Sequence, residues 1–204
     1  MSVTCVITDI HGRLTELLTL LDQVPEGARL IFLGDYIDRG SQSAEVVALM
    51  RLLQQDGAVC LRGNHEDMMC NPDTMGGTWM ANGGSATVES YKDPLSGRVN
   101  AGMMKDHAAW FESLPRVYSD AHRVYVHAGV LPMEALESQP ESITQWFRYP
   151  SGIDVGWRDK HVVHGHTPGV LQLTHRTCLD GGKALCCGVF DDDVAGGPVE
   201  VLWA

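Results

Sequence analysis

The sequence predicts an α/β fold on three observations. Short apolar, β-branched runs recur along the chain, helical patterns separate the first three of them, and polar clusters follow several runs directly. Runs at residues 3–8, 30–33, 58–61, 123–126, 160–163, 185–190 and 199–203 are read as strands. Leu14, Leu17, Leu18 and Leu21 recur at helical spacing before Pro25. Val46, Val47, Leu49, Met50, Leu52 and Leu53 do the same after Ser41 and Ser43, both suitable N-caps. A β-α-β-α-β opening of this kind predicts parallel strands, right-handed crossovers and a binding crevice at the carboxyl ends of the strands. The polar clusters sit at those ends.

Residues 71–102 differ in texture. Gly76-Gly77, Asn82-Gly83-Gly84 and Asp93-Pro94 are turn signals, and the stretch is expected to form a lid or insertion. Residues 105–114 resemble a helix ended by Pro115, and residues 132–150 form a second irregular stretch with a short helix near 133–136. A length of 204 residues is expected to give a single domain spanning 1–204.

Hydrophobic residues make up 44% and charged residues 20%, enough to bury a core without staples. The net charge of −11, with only 15 Lys and Arg, argues against an extended nucleic acid as partner. A phosphate remains compatible with it, because bound cations can reverse the local sign of the field. The amino terminus shows no basic region leading into an apolar stretch, and no run approaches the ~20 residues of a membrane span. A cytoplasmic protein without a membrane partner is therefore expected. The six cysteines include no Cys-x-x-Cys, so thiolate metal sites are not expected, and Cys5 and Cys60 read as small buried hydrophobes.

Five clusters carry the chemistry: Asp9-Ile10-His11-Gly12, Gly34-Asp35-Tyr36-Ile37-Asp38-Arg39-Gly40, Gly63-Asn64-His65-Glu66, His127-Ala128-Gly129 and His164-Gly165-His166-Thr167. They supply carboxylates, imidazoles, an amide oxygen and an arginine, donor types that suit two divalent cations and one anion. Asp9 and His11, one residue apart, project to the same side if the chain stays extended and could grip one cation; Asp9 could instead cap a turn. Asp35 has two oxygens and could bridge cations ~3.5 to 4 Å apart. Arg39 offers a planar fork for phosphate oxygens, with a surface ion pair to Asp38 as its alternative. Asn64 is a candidate ligand, and His65, placed by Asp38, could give a proton to a leaving alkoxide. Alternatively Asn64 and Glu66 cap a helix running through Met68 and Met69. His127 and His166 follow strands and would complete the second cation's shell, while His164 either orients a ligand or belongs to the core.

In this order the motifs resemble the phosphoprotein phosphatase branch of the calcineurin-like metallophosphoesterases, in particular the small bacterial and bacteriophage serine/threonine phosphatases. The resemblance covers about residues 3–190 and takes in Trp79 with Asn82-Gly83-Gly84, Leu114-Pro115, Trp146-Phe147-Arg148 and Asp180-Gly181-Gly182. It implies a central β-sandwich of mixed sheets flanked by helices. It also implies one metal held by Asp9, His11 and Asp35, and a second held by Asp35, Asn64, His127 and His166. Manganese is the implied ion, with iron or zinc as alternatives. Arg39 and Arg148 would bind the phosphate, Arg62 would add a contact, and His65 backed by Asp38 would be the general acid. The implied reaction is a single displacement by a metal-bridging hydroxide without a phosphoenzyme. Thr8 stands where the family usually has Gly, and the Ser-Ala-Pro-Asn-Tyr segment of eukaryotic relatives is absent.

The expected substrate is a phosphorylated protein or peptide, or a small phosphoester. A symmetrical diadenosine tetraphosphate hydrolase or small-nucleotide phosphodiesterase is the alternative, disfavoured by the short chain. An inactive module recognising phosphorylated partners is the alternative of another class, disfavoured because His65, Asp38, Arg39 and Arg148 are all present.

Overall fold

In the first strand, β1 (Val3–Ile7), alternate side chains enter two different clusters: Val6 joins one, and Cys5 and Ile7 the other. Burial on both faces is what makes these strands near-continuous apolar runs in the sequence. The computed structural model describes residues 2–204. After β1 come α1 (Leu14–Gln23), β2 (Arg29–Phe32), α2 (Ser43–Gln55), β3 (Val59–Cys60) and α3 (Asn64–Cys70). β1, β2 and β3 pair in parallel, as the alternating pattern predicts. The chain returns to this sheet with β9 (Cys186–Asp191), antiparallel to β1, and β10 (Glu200–Trp203), giving the order β10-β9-β1-β2-β3.

A second five-stranded sheet contains β4 (Val117–Ser119), β5 (Arg123–Val126), β6 (His161–His164), β7 (Leu171–Gln172) and β8 (Arg176–Cys178), in the order β4-β5-β6-β8-β7. β5, β6 and β8 run parallel, and the edge strands β4 and β7 are antiparallel. The two mixed sheets share one core, where Val6, Ile31 and Leu33 of the first meet Tyr125 and Val163 of the second. On the other face of the first sheet, Cys5, Ile7 and Phe32 pack with Leu17 and Leu20 of α1 and Val46, Val47 and Met50 of α2. The fold is thus two mixed sheets flanked by helices.

Several local expectations are corrected. Residues 71–102 are largely helical: α4 (Pro72–Trp79), a π turn (Met80–Gly84) and α5 (Ser85–Ser90) precede α6 (Ala101–Ser113). Pro72 starts α4 where its missing N–H costs nothing. The N-cap of α2 is Gln42, which makes no side-chain cap; Ser43 is the first helical residue, and its hydroxyl accepts the Asp38 amide at 3.1 Å. The expected helix near 133–136 is replaced by a 3-10 turn (Leu136–Ser138) and α7 (Glu141–Thr144). Among the described residues no helix is long and apolar enough to cross a membrane, and all six cysteines are free thiols.

Candidate metal centre and phosphate cleft

Loops leaving the carboxyl ends of the parallel strands meet at one place. Asp9 follows β1, Asp35 follows β2, Asn64 follows β3, His127 follows β5, His166 follows β6 and Asp180 follows β8. The backbone there is not extended. Asp9 (φ 52), His11 (φ 48), Asp35 (φ 57), Asp38 (φ 76), Arg39 (φ 66) and His166 (φ 64) are all left-handed, which corrects the extended Asp9-x-His11 geometry. Left-handed L-residues cost roughly 1 to 2 kcal/mol each and persist where surroundings over-determine them. Here the amides of His11 and Gly12 donate to Asp35 O at 2.9 Å and Tyr36 O at 2.8 Å, binding the first two clusters to each other. Glu66 ties in the third: its carboxylate accepts the Asp35 and Tyr36 amides, each at 2.8 Å, and the Gly63 amide at 2.9 Å. Glu66 therefore caps α3 and braces the Asp35 loop as well, whereas Asn64 is the first residue of the helix and not its cap.

Asp35 is the hub. His11 Nε2 and His65 Nε2 each lie 3.7 Å from its Oδ2, and His127 Nε2 lies 3.5 Å from its Oδ1. Two donor groups, His11–Asp35–His65 and Asp35–His127–His166, have their ligand atoms within 4.8 Å of one another, and Asp35 belongs to both. His11 Nδ1 donates to Ile37 O at 2.9 Å, so its Nε2 carries a bare lone pair, and that atom is buried without a partner. Asn64 Oδ1 faces two imidazoles, His127 Nε2 at 2.9 Å and His166 Nδ1 at 3.2 Å. Burial pushes His11 and His166 down to about 3 and lowers His127, so all three rings are neutral near pH 7. Neutral imidazoles, a shared carboxylate and an amide oxygen are donor types that fit divalent cations.

Asp9 lines the same cleft but lies outside both donor groups. Its Oδ2 accepts the Thr8 hydroxyl at 2.6 Å and the His166 amide at 3.1 Å. Thr8, the departure from the family pattern, thus touches a candidate ligand directly. His65 Nδ1 lies 2.6 Å from Asp38 Oδ2, and Arg39 Nη2 lies 3.3 Å from His65 Nε2. Burial works against protonation of His65, but Asp35 and the Asp38 hydrogen bond outweigh it and raise its pKa. No ion pair joins Arg39 to Asp38 among the described residues; Arg39 enters the cleft of about 210 Å³ together with Arg148.

Arg62 is not brought there. Its Nη2 pairs with Asp67 at 2.5 Å and both side chains are buried, so the expected phosphate contact from Arg62 is withdrawn. His164 lies behind the loop: its Nδ1 donates to Gly165 O at 3.0 Å and its Nε2 accepts from Arg176 at 3.1 Å. Asp180, Trp146 and Asn82 line the cleft although no role was read for them in the sequence. Asp180 closely follows β8, whose residues make no apolar run, so the strand-end pattern that points to the other residues does not reach it.

The family profile of calcineurin-like phosphoesterases matches residues 3–195. The chain belongs to that family. Membership makes it a metal-dependent phosphoesterase by class, and the His and Asp donor groups fit a metal site. Solved structures similar to this calcineurin-like phosphoesterase include a putative diadenosine tetraphosphatase, with TM-score 0.68, 21% identity, 100% of this chain and 94% of that chain covered. A protein serine/threonine phosphatase from Saccharomyces cerevisiae aligns with TM-score 0.69 and 17% identity over 100% of this chain and 79% of that one. A cold-active protein-tyrosine phosphatase of a Shewanella species aligns with TM-score 0.61 and 19% identity over 92% of this chain and 75% of that one. At these identities the three show the fold.

Proposed function

We propose that the protein is a phosphomonoesterase dependent on two divalent cations, acting as a broad-specificity serine/threonine protein phosphatase. The observation that carries the two-cation reading is Asp35, shared by two groups of His and Asp donors. His11 and Asp35, with Asp9 beside them, would hold one ion, and Asp35, Asn64, His127 and His166 the other. Manganese is the ion we propose, with iron or zinc as alternatives. Bound there, the cations would supply Lewis-acid charge and acidify water near neutral pH. Arg39 and Arg148 would clamp the phosphoryl oxygens and neutralise charge on them. His65 would give the leaving oxygen its proton, held in place by Asp38.

The cleft supports a monoester. At about 210 Å³ it is smaller than the roughly 300 to 1,000 Å³ of pockets that enclose drug-sized ligands, so it takes a phosphoryl group and its first neighbours. Chain length does not separate the substrates, because this chain spans 94% of the putative diadenosine tetraphosphatase and 79% of the serine/threonine phosphatase. The same similarity over nearly all of both chains keeps diadenosine tetraphosphate as the second reading. Initial rates in manganese on phosphoserine, phosphothreonine and phosphotyrosine peptides and on diadenosine tetraphosphate, with His65→Asn as background, test the choice. Preferred hydrolysis of the phosphoserine and phosphothreonine peptides is expected. Preferred hydrolysis of diadenosine tetraphosphate would replace the first reading by the second, and no hydrolysis by folded, manganese-loaded protein would revive an inert phospho-recognition module.

A further inference from the structure

Asp38 is fully buried, and three elements aim donors at its carboxylate. Its Oδ2 meets His65 Nδ1 of α3 at 2.6 Å, while Trp79 Nε1 of α4 reaches both oxygens, at 2.9 and 3.0 Å. Thr87 Oγ1 of α5 donates to Oδ1 at 2.5 Å and accepts the Asp38 amide at 2.9 Å. Asp38 sits in a left-handed conformation (φ 76), which these bonds to its amide and carboxylate hold from both ends. The same helical segment reaches Arg39. Gly83 O accepts the Arg39 amide at 3.3 Å, and a Cβ on Gly83 would come within 2.7 Å of that nitrogen. Residues 79–87 therefore press on the backbone of one proposed phosphate ligand and on the side chain that orients the proposed acid.

We propose that Trp79 and Thr87 are positioning residues for leaving-group protonation: they fix the Asp38 carboxylate so that it presents His65 Nε2 to the departing oxygen. The proposal rests on the reading of His65 as general acid. It makes α4 and α5 part of the catalytic scaffold. Trp79 supplies a donor that Asp38 cannot lose by rotating, because the indole N–H is shared between both oxygens. Thr87 locks backbone and side chain of Asp38 together. Without them the carboxylate can turn, and His65 loses the partner that sets its ring orientation and tautomer.

A misplaced acid harms only reactions that need it. Phosphoserine leaves as an alkoxide and requires the proton, whereas p-nitrophenolate departs without one. The test measures kcat and KM of the manganese-loaded full chain on a phosphoserine peptide and on p-nitrophenyl phosphate for Thr87→Val, Trp79→Phe, Thr87→Ser and His65→Asn. It adds the Thr87→Val change in the His65→Asn background. Thr87→Val and Trp79→Phe are expected to lower kcat on the peptide by roughly 10-fold, part of the 10² to 10⁴-fold that acid catalysis supplies, with KM little changed. On p-nitrophenyl phosphate the loss should stay within about 3-fold. Thr87→Ser should restore the peptide rate, and Thr87→Val should add nothing once His65 is gone. Equal losses on the two substrates, or an undiminished Thr87→Val effect in the His65→Asn background, would overturn the proposal. If His65→Asn itself spared the peptide, the acid assignment would fall and the positioning role with it. If His65→Asn lowered the peptide rate selectively while both Thr87→Val and Trp79→Phe did not, only the positioning role would fall.

Discussion

His127 Nε2 stands 2.9 Å from Asn64 Oδ1, while the other nitrogen of the same ring stands 3.1 Å from Leu33 O. Burial keeps this ring neutral, so it has one proton to share between two oxygen acceptors. One nitrogen always turns a lone pair toward an oxygen. If His127 and Asn64 hold a cation as proposed, that conflict would be relieved and Nδ1–H would be free to bond to Leu33, the arrangement expected of a ligating histidine.

His65→Asn removes the proposed acid and none of the proposed ligands. Turnover of phosphoserine peptides should fall at least ~10²-fold with metal content nearly intact. Steady-state kinetics beside metal analysis checks this. Full turnover of the peptides by the variant would remove His65 from the mechanism.

A substitution that replaces no ligand should also reach the centre. A Cβ on Gly165 would lie 2.2 Å from Asp9 Oδ2 and 2.4 Å from the Thr8 hydroxyl, so Gly165→Ala must displace Asp9, the loop, or both. The expected result is weaker metal retention, measured as metal per chain after dialysis against a mild chelator, with overpacking of typically 1 to 3 kcal/mol seen in unfolding. Wild-type retention in a folded variant would show that Asp9 does not matter to the ions.

Much of this was legible because β1, β5 and β6 are buried along nearly their whole length and lead into polar residues. The parallel opening and the strand-end positions of Asp35, Asn64, His127 and His166 follow from that pattern; Asp35 as a shared carboxylate is read from its two oxygens. β8 was not legible: Arg176, Thr177 and Cys178 make no apolar run, and they are buried because the sheet encloses them. The helicity of residues 71–102 was hidden by Gly and Asn, whose poor propensity is overridden where Trp79 and Thr87 anchor to Asp38. Arg62 misled for a different reason. Its phosphate contact was an implication of the resemblance alone, and its guanidinium turns to Asp67.

His164 gives the folding equilibrium a pH dependence of known sign. Burial pushes it down to about 3 from its ordinary 6.5. Between those values the unfolded chain binds a proton that the folded chain does not, so stability is lost as pH falls below 6.5, by up to about 1.4 kcal/mol per pH unit. His164→Gln removes this contribution. In metal-free protein the stability gap between wild type and variant, from urea unfolding, should shrink between about pH 7 and about pH 4.5. A gap constant with pH would contradict a neutral, buried His164.

Asp35 is the carboxylate proposed to serve both cations. Metal per chain, measured on manganese-loaded wild type and on Asp35→Asn, tests it most directly. About two ions in the wild type and loss of both in the folded variant are predicted, because one bridging ligand serves the pair. Two ions retained by Asp35→Asn, or a wild type that never binds more than one, would contradict it.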